Sequence, residues 1–130
     1  MAAKSIYLDN AVLNLVLRAV AYAPTTGTVY VGLFTSAPTP STSGTECSGT
    51  GYARAAVTFG AAALGVSLNS GLVTFPTAGA GGWGLVVAAG IFDDAAAGNL
   101  LYFGNLGASK TIDAGDTASF AISALSVTEQ

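Results

Sequence analysis

The chain has 130 residues, with four Lys/Arg, seven Asp/Glu, no histidine, 52% apolar residues and a formal net charge of −3. So few basic side chains exclude a phosphate-backbone partner, and the missing histidine removes the commonest general base. A monomer of this mass should expose roughly 6,300 Å², too much surface for so few charges to keep apart in solution, so the sequence reads as a subunit that covers apolar surface against copies of itself or a larger assembly.

A single domain is expected over residues 1–130, with a helix at 8–20 and a β body at 28–127. In the helix, Leu8, Ala11, Val12, Leu15, Val16 and Ala19 share one face at helical spacing, and Leu13, Leu17 and Val20 form a second apolar stripe. Asn10, Asn14 and Arg18 make its only continuous polar line. The apolar sector is roughly 240° wide, more than twice what a helix needs for its own core, so the second stripe is assigned to a partner subunit. The same run followed by Ala21-Tyr22-Ala23 imitates a signal peptide, but Asn14, Arg18 and Asp9 interrupt the pattern. No stretch is long and apolar enough to span a bilayer, so no membrane partner is expected.

Pro24 and Gly27 end the helix, and the rest reads as short strands. Strands are expected at 28–35, 52–59, 65–69, 72–75, 85–92, 100–106, 110–112, 118–122 and 125–127. A turn-rich loop occupies 36–51, and Asn69-Ser70-Gly71 is read as the turn of a hairpin. The run LVVAAGIF at 85–92 has the continuous apolar character of a central strand. Fold class is therefore mainly β: an antiparallel sandwich or jelly-roll-like body with one N-terminal amphipathic helix. No fixed-period repeat, heptads or collagen-like triplets are present to build a fibre shaft.

The motifs that suggest chemistry lack their context. Gly79-Ala80-Gly81-Gly82-Trp83-Gly84 spells G-x-G-x-x-G, but a strand follows where a phosphate-binding helix is needed. Asp93-Asp94 suits a turn, and Asp113 with Asp116 does not match a calcium loop. Cys47 stands alone and the serines lack a base, so no catalytic, cofactor or metal residue is assigned. Arg54 is expected to pair with a carboxylate such as Glu46 or to cap a subunit contact. Trp83 reads as core filling with its N–H on a loop carbonyl, and an interface or sugar platform is its functional alternative. The candidate interface set is Leu13, Leu17, Val20, Arg54 and Trp83.

The segments YLDNAVLNLVLRAVAY, TVYVGLFTSAPT, TECSGTGYARAAVTF, VTFPTA, WGLVVAAGIFD, GNLLYFGNL and KTIDAGDTASFAISALSVT run in order along nearly the whole chain. Together they resemble a family of small tailed-bacteriophage structural proteins commonly labelled tail fibre proteins. The blocks around Gly51 to Arg54 and Gly98 to Thr117 are the most specific. Cys47 replaces a usual β-branched residue and Ala88-Ala89 a more polar pair, which makes this chain more apolar, as packing into a larger surface would. The resemblance implies a non-enzymatic virion component, assembled in the host cytoplasm, with no cofactor and no catalytic site. The first expectation is a homotrimer that decorates or cements the capsid, with the major capsid protein as partner. The alternative is a tail fibre or baseplate-associated subunit that contacts tail proteins and contributes to host attachment.

Overall fold

The computed structural model describes residues 1, 3–24 and 26–129. The elements in chain order are β1 (Ala3–Lys4), α1 (Ile6–Arg18), β2 (Val29–Ser36), β3 (Thr45–Glu46), β4 (Ala55–Val57), β5 (Val66–Leu68), β6 (Val73–Thr77), β7 (Gly84–Phe92), β8 (Leu100–Ile112), β9 (Thr117–Phe120) and β10 (Ser126–Thr128). The class is mainly β, with antiparallel sheets and one N-terminal helix. No described helix is long and apolar enough to cross a membrane.

A six-stranded sheet runs β1-β8-β7-β2-β3, and β4 also pairs with β2. The run at 85–92 is a central strand as its composition requires, held by β2 on one side and β8 on the other. Two separate ribbons, β5–β10 and β6–β9, complete the β body. The main core joins Val31 and Leu33 of β2, Ala89 and Ile91 of β7, and Val73 and Phe75 of β6. Alternation along β2 sends Phe34 to a second cluster with Ala88 and Phe92, whose rings stack at 5.9 Å between centroids.

Glycine makes that second cluster possible. Gly32 and Gly90 are register partners. A Cβ on Gly32 would lie 2.8 Å from the Phe92 ring, and one on Gly90 would lie 2.9 Å from the Phe34 ring. The two aromatic rings therefore rest directly on backbone, which no larger residue permits.

Several expectations are corrected. The helix is Ile6–Arg18 rather than 8–20, because Ser5 caps its start and Ala19 leaves the helix with φ 54°. Residues 100–106 and 110–112 are one strand, with Leu106 to Ser109 bulging against Val87 alone. The hairpin through Asn69-Ser70-Gly71 does not form, since β5 pairs with β10 and β6 with β9. The loop at 36–51 contains β3, and both Pro38 and Cys47 within it are buried. Cys47, Ala88 and Ala89 are buried inside this chain, so the apolar character they carry lies in its own core rather than on its surface.

Candidate functional site

The sequence places α1 where its ends are satisfied locally. The Ser5 hydroxyl accepts from the Leu8 N–H at 3.2 Å and donates to the Leu100 carbonyl, tying the helix start to β8. Asp9 lies in the first turn and Arg18 in the last, each at the end of the helix dipole it favours. At the far end the Asn14 carbonyl accepts from both Ala19 and Val20 N–H.

Packing uses only one side of this helix. Leu8 is buried, and Ala11 and Val12 are partly buried against the core. Leu15, Val16 and Ala19, assigned to the same buried face, are exposed, because the C-terminal turns extend past what the body covers. The second stripe points outward: Leu13 is 55% exposed, Leu17 74% and Val20 about half, and Ile6 and Val16 beside it are 49% and 72% exposed. At about 100° per residue, Ile6, Leu13 and Leu17 lie opposite Leu8 and Val12. This is the greatest concentration of exposed large apolar side chains among the described residues.

Arg54 and Trp83 stand elsewhere. The Arg54 side chain is 9% exposed and grips the Glu46 carboxylate with two donors, Nε to Oε1 and Nη2 to Oε2, both at 2.8 Å. Its Nη1 donates to the carbonyls of Asp94 at 2.9 Å and Ala97 at 2.7 Å, and its guanidinium lies 3.4 Å above the Phe92 ring centre. The expected Arg54–Glu46 pair is therefore present as an interior clamp. Trp83 is 4% exposed, edge-on to Tyr52 at 5.1 Å, and donates from Nε1 to the Thr50 carbonyl at 3.0 Å. Buried so, it presents no face to a partner or a sugar. The five candidate interface residues thus divide into an outward set of Leu13, Leu17 and Val20 and two interior anchors.

The acidic groups are engaged in structure. Asp93 accepts from the backbone and side chain of Asn99, and Asp116 accepts from the Asp113 N–H, so both motifs are turns. Glu129 accepts from Lys4 and Tyr102; burial pulls its carboxyl up, but these two donors outweigh it and hold it below the usual value. The glycine-rich turn at 79–84 feeds directly into β7. An apolar cavity of about 260 Å³ lies between the β5–β10 ribbon and the main sheet, lined by Val66, Val127, Val29, Ile91 and Leu101.

Interior ionisable groups make a prediction about pH. Burial, with Glu46 beside it, pushes the Cys47 thiol up to about 11 from its ordinary 9.0. Burial also raises Tyr52 and Tyr102 from 10.0, and each hydroxyl donates to a carboxylate that opposes its ionisation. A group whose folded pKa is raised stabilises fully below its unfolded value and loses that contribution as pH rises. Resistance to urea should therefore fall above pH 9 and more steeply above pH 10. Midpoints measured between pH 8 and pH 11 that stay level would contradict this.

The fold is a small antiparallel β body, and the largest group of its exposed apolar side chains lies along α1 and its C-terminal end. Residues 3–128 match the family described as Podophage GP4 fiber I protein gp80. The chain belongs to that family and is a bacteriophage structural protein of the fibre type. No curated protein matches it.

Two functional features escape sequence reasoning. Asn69 is buried and joins the two ribbons by side-chain hydrogen bonds, yet it looks like an ordinary turn residue. The position of Asn10 within the outward stripe becomes meaningful only when the buried side of the helix is known.

Proposed function

We propose that this chain is a non-enzymatic tail-fibre subunit of the virion that contributes to host attachment and is seated through the outward face of α1. The match to a fibre family over nearly the whole chain carries this reading and favours it over the capsid-cementing expectation. A compact β body supplies a knob or junction, and the length of a fibre comes from assembly with other chains. Its partners are neighbouring tail proteins and copies of itself. Absence of catalysis is supported by the use of Glu46, Asp93, Asp116 and Glu129 as structural hydrogen-bond acceptors.

Purified particles test the location. Quantitative mass spectrometry against the major shell protein should count roughly a few to a few dozen copies, the scale of closed rings at a tail. Immunogold should mark the tail. A count equal to that of the shell protein, with gold spread over the capsid, would restore the decoration reading.

A further inference from the structure

The outward side of α1 carries Ile6, Asn10, Leu13 and Leu17 at successive spacings of four, three and four residues. This is the a/d spacing of a coiled-coil seam, with Ile6 and Leu13 at d and Asn10 and Leu17 at a. The seam is under two heptads long, so no sustained repeat marks it in the sequence. It is legible because Leu8 and Val12, on the opposite side, are the residues that face the body.

We infer that the occupant of this seam is a second copy of the same chain, with the two α1 helices parallel and in register. The inference deepens the reading of α1 as the docking face and rests on it. Asn10 chooses the occupant. It is exposed, carries both a donor and an acceptor, and its side chain makes no hydrogen bond among the described residues. An apolar partner laid over the stripe would bury that amide without a partner. An identical helix in register sets Asn10 against Asn10, where each amide supplies what the other lacks, and sets Leu13 and Leu17 against themselves. An antiparallel helix would set Asn10 against leucine.

Area and charge agree. Ile6, Leu13, Val16, Leu17 and Val20 are 46–74% exposed, which leaves roughly 300 Å² of apolar side chain to cover. A standard interface uses about 800 Å² per partner, somewhat over half of it apolar. The stripe therefore supplies the greater part of the apolar share. The seam positions carry no charge, and in the parallel register Asp9, on one flank, packs toward Asn14 of the next copy rather than toward another carboxylate.

Cysteine crosslinking tests direction and register. Asn10→Cys and Leu17→Cys, made separately, should each give a disulfide-linked pair under mild oxidation of the native protein, because a parallel seam brings identical a positions within bonding distance. The native Cys47 is buried and does not compete. Sedimentation of the unmodified protein should give two chain masses, and Leu17→Asp should give one while keeping its circular dichroism. A monomer at about 100 μM, or an oligomer in which neither cysteine variant crosslinks, would overturn the inference. If Leu17→Asp is lost from particles while the unmodified protein is monomeric and uncrosslinked, the docking face stands and its occupant is a different virion protein. If Leu17→Asp enters particles normally and remains self-associated, the docking reading fails as well.

Discussion

Arg54→Ala should lower the unfolding free energy by about 3–5 kcal/mol, the usual cost of removing one partner from a largely buried ion pair. The size follows from how many groups the guanidinium serves. Its loss leaves the Glu46 carboxylate with only the Tyr52 hydroxyl at 2.6 Å, leaves the Asp94 and Ala97 carbonyls without their donor, and uncovers the Phe92 ring. Arg54→Lys keeps the charge but not the planar fork, so it should recover less than half of the deficit. The double variant Glu46→Leu with Arg54→Met removes the charges together and should be less destabilised than the sum of its parts. Urea midpoints for the set decide it. An Arg54→Ala cost below about 1 kcal/mol would mean the clamp is only a surface-grade pair.

The clamp also shows what can be read from a sequence of this kind. Arg54 is the one charge in its strand region, which forces it toward a carboxylate, and Glu46 lies close in sequence. The carbonyls of Asp94 and Ala97 come from a turn about forty residues away and have no sequence mark. Strands with strong composition, at 28–35 and 85–92, match β2 and β7 to within one residue at each end, because alternation or continuous apolar character reports burial directly. The two-residue β3 lies below any periodic signal, so the Ser, Thr, Pro and Gly content of 36–51 reads only as a turn-rich loop. On the helix, an apolar sector too wide for one core announced two faces. The face of Leu8, Ala11 and Val12 meets the body as its spacing predicts, whereas Leu15, Val16 and Ala19 of that same face are exposed, because how far the body reaches along the helix has no sequence mark. Trp83 behaved as its chemistry requires: a buried indole needs an acceptor for its N–H, and a loop carbonyl provides one.

Asn69 tests the part of the fold that local sequence misplaces. Its side chain donates to the carbonyls of Gly71 at 2.8 Å and Ala121 at 2.9 Å, and accepts from the Leu125 N–H at 2.9 Å, while only 1% of the residue is exposed. The bonds to Ala121 and Leu125 fasten the turn between β5 and β6 to the turn between β9 and β10, beside the pairing of β5 with β10 and of β6 with β9. Asn69→Ala should cost about 3 kcal/mol, since three bonds of about 1 kcal/mol each are lost and a buried Leu125 N–H is left unpaired. Asn69→Asp is the sharper test. It keeps the acceptor for Leu125 but turns a second oxygen toward two carbonyl oxygens, so at neutral pH it should be at least as damaging as alanine. Below the pKa of the new acid one O–H returns as a donor, and part of the loss should be recovered as pH falls. Fluorescence of the lone Trp83, which packs edge-on against Phe75 of β6, follows the unfolding. If Asn69→Asp is milder than Asn69→Ala at neutral pH, water has taken over the two carbonyls. The ribbons would then be held by strand pairing and the burial of Val73 and Phe75 rather than by this amide.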